Sequence, residues 1–228
     1  MAKSKALIVG AGPSIFERKH LDLLLEKGFD GKLIVPEVML QICLKRGITP
    51  DKFPEYYTTT LEDDHYTFQF FDHDIVRKYA PQMIGIISER SPQITKDFMK
   101  ESKFKDIFEI HKTECVTTSN VGLFAFMIAR DFLKCDEIAA IGLDHADNSH
   151  EHINISKDHP IYKNAFTEML NPEFNTWCVM NPNQLKWREE LMEVLPQNPI
   201  NFINCTEGGS LFGPGIKCMK FEEYLCHH

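Results

Sequence analysis

The sequence predicts an α/β fold in which a Rossmann-like, mostly parallel sheet is flanked by helices. Short apolar runs rich in strand-forming residues alternate with amphipathic segments over almost the whole chain, which is typical of consecutive βαβ units. The first run, residues 5–9, stops at a Gly-Ala-Gly-Pro-Ser turn, and an amphipathic segment follows. We expect a single domain over residues 1–228. Residues 148–181 are polar and irregular, so we expect a lid, an insertion or a small subdomain there.

The same pattern places the elements in order along the chain. After the first strand, further strands are predicted at 32–35, 56–60, 83–87, 137–143 and 200–204, with another within 107–117. Helices are predicted at 16–27, 37–46, 74–79, 93–100, 119–134 and 183–194. Ser119 is the predicted N-cap of the helix at 119–134. Because apolar residues run nearly all the way round this helix, we expect it to be central and buried.

Composition restricts the classes of function. The chain has 228 residues, of which 43% are hydrophobic and 25% charged, as in ordinary soluble globular proteins. Its formal net charge of -8 argues against a general nucleic-acid-binding surface. The longest apolar run, 121–129, is too short to span a bilayer, and no signal-peptide pattern opens the chain. We therefore expect a cytoplasmic protein without nucleic-acid or membrane partners, and a homodimer stays open.

The seven cysteines favour neither a zinc ribbon nor a dithiol redox site, because none of them forms a CxxC pair. The polar clusters are more informative. In parallel α/β sheets, ligands bind outside the carboxyl ends of the strands. The polar clusters that follow predicted strands lie at residues 10–14, 62–63, 88–90, 117–120, 144–145 and 206–209. Their convergence on one edge of the sheet predicts a binding site there.

The strongest local signal for a ligand is the turn Gly10-Ala11-Gly12-Pro13-Ser14. Glycines let a ligand approach the backbone, and the following helix N-terminus offers unpaired N–H groups to a phosphate. The turn is not a Walker A loop, because no Gly-Lys-Ser/Thr follows it. It also departs from the dinucleotide fingerprint G-x-G-x-x-G, since Ile15 occupies the third glycine position. Hydride transfer with a dinucleotide is therefore disfavoured.

This turn and three further blocks resemble, in the same order, the family that includes archaeal 6-hydroxymethylpterin diphosphokinases and bacterial motility accessory factors. The turn looks like the GxGPS loop of that family. Residues 47–51 with 61–63 are similar to its Pro-Asp and acidic block, and residues 119–121 with 141–144 resemble its central block. Residues 204–210 look like its closing Asn-x-Thr-Glu-Gly-Gly loop. Together the blocks cover residues 5 to about 216, nearly the whole chain.

The resemblance implies a Rossmann-like domain whose loops bind a nucleotide. Its pterin members imply a magnesium-dependent diphosphotransferase, which moves diphosphate from ATP to a hydroxymethyl acceptor such as 6-hydroxymethyl-7,8-dihydropterin. The alternative is a glycosyltransferase that uses a CMP-activated nonulosonic acid, because families similar to sialyltransferases share the GxGPS loop. A nucleotide-binding module without catalysis is the third hypothesis. The expected partners are a nucleotide and a small molecule with an acceptor hydroxyl group, with Mg²⁺ as the cofactor and ATP as the donor.

The expected site residues have three roles. The nucleotide-binding residues are Gly10, Ala11, Gly12, Pro13, Ser14, Ser119, Asn120, Thr206, Glu207, Gly208 and Gly209. Glu62, Asp63 and Asp144 are candidate magnesium ligands, because Mg²⁺ prefers carboxylate oxygens. Asp144, His150 and His152 are candidate catalytic residues, because histidine titrates near neutral pH and can take a proton from a hydroxyl group. The acidic block lacks the Asp-x-Asp pair of the family, so a solvated acidic turn is the alternative there, and a polar surface loop is the alternative for the histidines.

Overall fold

A computed structural model of the protein describes residues 3–111, 120–147, 165–197 and 199–227. The strands in these ranges are β1 (Lys5–Val9), β2 (Lys32–Pro36), β3 (Tyr56–Thr60), β4 (Ile84–Ser88), β5 (Asp106–Ile110), β6 (Glu137–Ile141), β7 (Thr167–Asn171), β8 (Thr176–Met180), β9 (Asn201–Asn204) and β10 (Ile216–Cys218). The helices are α1 (Ser14–Glu17), α2 (His20–Lys27), α3 (Glu37–Lys45), α4 (Asp74–Tyr79), α5 (Gln93–Glu101), α6 (Val121–Met127), α7 (Pro182–Val194) and α8 (Phe221–His227). A π-helical turn, Ile128–Phe132, follows α6 directly.

Eight of the strands form one parallel sheet in the order β10-β9-β6-β1-β2-β3-β4-β5. The chain runs outward from β1 to β5 and then returns to β6 on the other side of β1. The reversal therefore lies at β1 and β6, which are neighbours in the sheet. In open α/β sheets the crevice at such a reversal is where ligands bind. The predicted Rossmann-like, mostly parallel sheet is confirmed.

Helices cover both faces of the sheet, so alternate strand residues enter two different cores. On β1, Leu7 and Val9 belong to the core formed with helices α2, α3, α4, α5 and α8. Ala6 and Ile8 belong to the core formed with α6 and α7. All four side chains are fully buried. This two-sided burial explains why the strands of the sequence are continuous apolar runs and not alternating ones.

The helix α6 is the most deeply buried helix of the second core, as the sequence predicts. Every residue from Gly122 to Met127 is buried. Its N-cap is Asn120 and not the predicted Ser119: the Asn120 side chain accepts a hydrogen bond from the Leu123 N–H at 2.9 Å, and Ser119 lies outside the described residues. In the π-helical turn that follows, Arg130 Nη1 donates to the Val194 carbonyl at 3.2 Å, which joins α6 to α7. Within the described ranges, no helix combines the length and the apolar character needed to cross a membrane.

The predicted helix at 16–27 is two helices in the structure. Helix α1 ends at Glu17, and Lys19 has a left-handed backbone with φ of 55° before α2 begins. A left-handed residue cannot continue a right-handed helix, so the apolar stripe is interrupted there. Phe16, which the sequence pattern places on that stripe, is consequently 46% exposed.

A second difference lies in the segment that the sequence presents as irregular. Its described part, 165–181, contains the antiparallel hairpin β7–β8. Met169, Cys178 and Met180 of the hairpin pack with Ala146 in a small separate core. The hairpin is also tied to the loop after β6, because the backbone groups of Asp147 and Val179 exchange two hydrogen bonds of 2.9 Å. Each strand has five residues, and neither alternates regularly between apolar and polar residues, so the period of two does not stand out in the sequence.

The last two elements, β10 and α8, are absent from the sequence prediction. Strand β10 has three residues and pairs with β9 at the edge of the sheet. Such a short strand is below the length at which a period of two residues can be recognised. Helix α8 packs Phe221 and Tyr224 into the first core.

The N-terminus of α7 gives a test of the fold. Asn181 and Gln184 form a reciprocal capping box, in which Asn181 Oδ1 accepts from the Gln184 N–H at 3.0 Å and Gln184 Oε1 accepts from the Asn181 N–H at 2.9 Å. We predict that Asn181→Ala lowers the free energy of unfolding by about 1 kcal/mol, since a helix donor loses its acceptor. The exposed Asn183→Ala should change it by less than about 0.5 kcal/mol. Urea unfolding measures both, and equal effects of the two variants would contradict the capping role.

Candidate functional site

A pocket of about 320 Å³ opens where the carboxyl ends of β1 and β6 diverge. Its volume lies at the lower end of the range of small-molecule pockets, which is about 300–1,000 Å³. The lining residues come from the loops after β1, β2 and β6 and from the N-terminal parts of α6 and α7. They are Gly10, Ala11, Gly12, Pro13, Pro36, Val38, Asn120, Val121, Gly122, Gly142, Leu143, Asp144, His145, Ala146, Asp147, Gln184 and Trp187. The glycine turn of the sequence analysis is therefore one wall of the pocket.

The glycine turn and the loop after β6 are interlocked by their backbones. The Gly10 N–H donates to the Ile141 carbonyl at 2.8 Å, and the Gly12 N–H donates to the Gly142 carbonyl at 2.7 Å. A Cβ atom at Gly10 would overlap the Gly142 carbonyl, and one at Gly12 would overlap the Asp144 carboxylate. Both positions thus require glycine because another loop lies against them.

The hydrogen bonds between the two loops reduce the number of N–H groups that the glycine turn can present to a phosphate. The sequence analysis assigns the backbone N–H groups of the whole turn to this task, but those of Gly10 and Gly12 donate to carbonyls of the neighbouring loop. Proline has no N–H group at all. Ser14 is fully buried and does not line the pocket, so the donor that the turn can present to a ligand is the N–H group of Ala11.

Further backbone donors come from the N-terminus of α6. Helices leave their first N–H groups without an intrahelical acceptor, and their N-terminus carries a partial positive charge. In α6 the Leu123 N–H is satisfied by the Asn120 side chain. Val121 and Gly122 precede Leu123, have no intrahelical acceptor, and both line the pocket opposite the glycine turn. This arrangement is suited to an anion.

A buried hydrogen bond joins the two interlocked loops below the pocket. The Ser14 hydroxyl donates to Asp144 Oδ2 at 2.8 Å, and both residues are almost fully buried. A hydrogen bond to a carboxylate is one of the stronger kinds in proteins. The structure thus brings Gly12, Ser14 and Asp144 together, and it fixes the orientation of the Asp144 carboxylate at the pocket wall.

The loop at 206–210 lies behind Asp144 and is not part of the pocket lining. The Ser210 N–H donates to the Asp144 carbonyl at 2.9 Å. Gly209, with φ of 68°, has no room for a Cβ atom because the Asp144 backbone lies against it. Asn171 of the hairpin donates to the Gly209 carbonyl at 3.0 Å. Thr206, Glu207, Gly208 and Gly209, which the sequence analysis assigns to nucleotide binding, therefore support the loop that carries Asp144.

Glu207 holds the C-terminal part of the chain against this loop. Its Oε1 accepts from the Phe221 N–H at 3.2 Å and lies 3.4 Å from His20 Nε2. Burial on its own would raise the pKa of Glu207, but the hydrogen bonds from His20 and the Phe221 N–H lower it overall. The carboxylate of Glu207 thus has hydrogen-bond partners within the protein, the Phe221 N–H and His20.

Glu62 and Asp63, two of the candidate magnesium ligands, do not line the pocket. Asp63 forms an exposed ion pair with Arg90, with 3.0 Å between Oδ2 and Nη2. The pKa of Glu62 is raised by burial and by the neighbouring Asp63 charge. Among the described residues, no group of three or more His, Cys, Asp or Glu side chains is placed to hold a metal ion. These residues do not by themselves make a magnesium site, and magnesium binding stays a prediction.

Three of the expected site residues, Ser119, His150 and His152, lie outside the described residues. A residue close to His150 in the sequence, His145, is within the described ranges. His145 lines the pocket, and its two ring nitrogens are buried without a hydrogen-bond partner in the described structure. Its ring lies 6.0 Å from that of Trp187, which also lines the pocket. The sequence alone could have indicated His145 as a site residue, because His145 directly follows Asp144 at a strand end.

Glu37 is a further residue that sequence reasoning passed over. It follows β2 at the same edge of the sheet, between the pocket-lining residues Pro36 and Val38. Its carboxyl group is fully buried, and neither oxygen has a hydrogen-bond partner in the described structure. Burial, with a smaller contribution from the nearby Glu62 charge, raises the pKa of Glu37 to about 8. At neutral pH this side chain is therefore a neutral carboxylic acid.

The fold and the pocket define a Rossmann-like α/β domain with a ligand crevice at its reversal of strand order. No protein-family model and no curated protein sequence matches the chain. Among solved structures, the chain is similar to the MAf glycosyltransferase from Magnetospirillum magneticum AMB-1, with a TM-score of 0.71 and 15% sequence identity. The similarity covers 97% of this chain and 35% of that one, so the chain spans about a third of the length of its structural neighbour. At this level of identity the similarity shows the fold.

Glu37 gives a prediction for the pH dependence of stability. The unfolded chain releases the Glu37 proton near pH 4.5, whereas the folded protein keeps it up to about pH 8. Stability should therefore fall as the pH rises between these values, by up to about 1.4 kcal/mol per pH unit, and level off above pH 8. We predict that Glu37→Gln removes this decline and is more stable than the wild type at pH 8.

Urea unfolding from pH 5 to pH 9 measures the effect. The exposed Glu101→Gln is the matched control and should keep the wild-type decline. A Glu37→Gln variant with the same pH dependence as the wild type would show that Glu37 does not retain its proton on folding.

Proposed function

We propose that this chain is a nucleotide-dependent transferase that binds its nucleotide in the pocket between the glycine turn and the N-terminus of α6. The reaction that the site supports best is glycosyl transfer from a nucleotide-activated sugar, with a CMP-activated nonulosonic acid as the donor class. The observation that carries the proposal is the buried Ser14–Asp144 hydrogen bond beneath the pocket wall formed by Gly12. It joins a loop with backbone donors to a carboxylate at the reversal of strand order, where ligands of such sheets bind.

The two sides of the pocket suit different parts of a nucleotide sugar. The N–H groups of Ala11, Val121 and Gly122 are neutral donors, and neutral donors beside a helix N-terminus suit a phosphate. The carboxylates of Asp144 and Asp147 suit sugar hydroxyl groups, because an ionised carboxylate only accepts hydrogen bonds. The phosphate would thus face α6, and the sugar would face the loop after β6.

Glycosyl transfer needs a base for the acceptor hydroxyl and a stabilised leaving group. In the proposed reaction the acceptor oxygen bonds to the anomeric carbon, the bond from this carbon to the phosphate oxygen breaks, and CMP leaves. Asp144 would take the proton of the acceptor hydroxyl as a general base. The Ser14 hydroxyl would hold the Asp144 carboxylate in position, since it donates to Oδ2. The backbone donors would stabilise the charge of the departing phosphate.

Glycosyl transfer is preferred to diphosphate transfer because of the distribution of carboxylates. Diphosphate transfer from ATP depends on neutralising a triphosphate, commonly with Mg²⁺ held by carboxylates. Glu62 and Asp63 lie away from the pocket lining, and the described residues offer no larger ligand group. The structural neighbour is named as a glycosyltransferase, which supports the same choice. Magnesium, ATP and cytoplasmic residence stay predictions of the sequence.

A paired activity assay tests the proposal. The protein is incubated with a CMP-activated nonulosonic acid and a hydroxyl acceptor, and separately with ATP, Mg²⁺ and 6-hydroxymethyl-7,8-dihydropterin. Acceptor-dependent release of CMP is the expected result. Pterin-dependent release of AMP would instead establish a diphosphotransferase. Nucleotide binding without release of either product would establish a binding module without catalysis.

Gly12 provides a sharper test of the site itself. In Gly12→Ala the new methyl group would displace the Asp144 carboxylate and break its hydrogen bond with Ser14. We predict that the affinity for CMP falls by at least about tenfold, the loss expected for one disrupted charged hydrogen bond. Isothermal titration calorimetry measures this affinity, and circular dichroism confirms that the variant is folded.

Gly85→Ala is the matched control. Its new methyl group would meet the flexible end of Met99, far along the sheet from the pocket lining. We expect this variant to bind CMP as the wild type does. If Gly12→Ala also kept the wild-type affinity in a folded protein, the glycine turn would not be part of a nucleotide site.

A further inference from the structure

We infer that His145 contacts the ligand directly: its imidazole N–H donates to a phosphate oxygen of the nucleotide, and its strained backbone is retained for that contact. This inference rests on the proposed function and adds to it a side chain outside the predicted set of site residues. Four observations carry it, namely the backbone conformation of His145, the contacts that hold it, the state of its ring, and the charge of the pocket.

The backbone of His145 is left-handed, with φ of 45°. This conformation costs a non-glycine residue about 1–2 kcal/mol, and such residues cluster at ligand-binding and catalytic sites. Six non-glycine residues in the described ranges have a positive φ, and of these His145 is the one that lines the pocket. Three of the others are exposed lysines, among them Lys103 after α5.

The surrounding loop holds this conformation in place. The Ser210 hydroxyl lies 3.0 Å from the His145 carbonyl oxygen, to which it donates, and the Ser210 N–H fixes the preceding Asp144 carbonyl. The Ser210 carbonyl in turn accepts from Arg188 Nε of α7 at 2.8 Å. Strain of this kind persists only where neighbouring contacts enforce it, as they do here.

The imidazole ring is buried yet unsatisfied. The residue is 7% exposed, and neither Nδ1 nor Nε2 has a hydrogen-bond partner in the described structure. Leaving a buried polar atom unpaired costs about 1–3 kcal/mol. An imidazole N–H can donate to an oxygen atom, and the buried ring of His145 has no such acceptor in the described structure. A bound ligand with an oxygen atom at the ring would satisfy the donor.

The composition of the pocket bears on which groups could hold a phosphate there. The described lining contains the carboxylates of Asp144 and Asp147 and neither lysine nor arginine. A phosphate in this pocket would therefore be held by N–H donors, and the imidazole N–H of His145 is one that a lining side chain offers. His145 would thus act on the phosphate that leaves with the nucleotide.

The test separates ligand contact from a purely structural role. His145→Gly and His145→Asn both accept a left-handed backbone, so each variant keeps the loop conformation and removes the imidazole. We expect both to fold, and their affinity for CMP to fall by about 10- to 100-fold, the loss of one hydrogen bond to a charged group. Their affinity for cytidine, which has no phosphate, should be unchanged. Calorimetry with CMP and with cytidine measures both values.

Lys103→Gly is the matched control, because it relieves the same backbone strain at an exposed position away from the pocket lining. It should raise the melting temperature and leave the affinity for CMP unchanged. If the wild type binds CMP and the two His145 variants bind it equally tightly, the inference is wrong while the proposed function stands. If the wild type binds no nucleotide, the proposed function and the inference both fail.

Discussion

The organisation of the site depends on the close approach of two loops, those that follow β1 and β6. Gly10 and Gly12 lie so near the β6 loop that neither can carry a side chain. The Ser14–Asp144 hydrogen bond closes the contact below the pocket, where both partners are hidden from water. Because these strands are neighbours in the sheet, the approach is enforced by the strand pairing itself and not by the loops alone.

Because of this constraint, the glycine turn has a structural role in addition to that of a simple phosphate-binding loop. Two of its N–H groups serve to join loops, so the turn positions the Asp144 carboxylate as much as it contacts a ligand. In the proposed site, the larger share of the backbone donors comes from the N-terminus of α6, whose Val121 and Gly122 line the pocket. The site is thus formed by three segments that lie far apart in the sequence.

A second layer of contacts supports Asp144 from behind. Asn204 donates to the Leu211 carbonyl at 2.7 Å and accepts from the Thr206 N–H at 3.0 Å, so it shapes the loop between them. Asn171 and Ser210 continue the support towards the pocket. The closing Asn-x-Thr-Glu-Gly-Gly block of the sequence thus has a supporting role in the described structure, and its assignment to nucleotide binding stays a prediction.

The sequence was sufficient to predict the parallel sheet, because buried strands such as Tyr56–Thr60 appear as short apolar or β-branched runs between helices. It also placed Gly12 and Asp144 after strands that end at the same edge, since the carboxyl ends of parallel strands meet there. It did not locate the break at Lys19, because lysine rarely adopts the left-handed backbone found at that residue.

The roles of individual side chains were harder to predict than their positions. Glycine can serve a ligand or a neighbouring loop, and only the structure shows that Gly209 lies against Asp144. The neutral state of Glu37 arises from burial, which no local pattern of residues encodes. The left-handed backbone of His145 likewise does not follow from its sequence, because histidine rarely adopts this conformation.

The central claim is that the pocket between β1, β6 and α6 recognises the phosphate of a nucleotide. The most direct measurement is a calorimetric comparison of CMP with cytidine on the wild-type protein. Phosphate contacts to the backbone donors and to His145 predict that CMP binds at least about 100-fold more tightly than cytidine. Equal affinities for the two compounds, or no binding of either, would contradict the account.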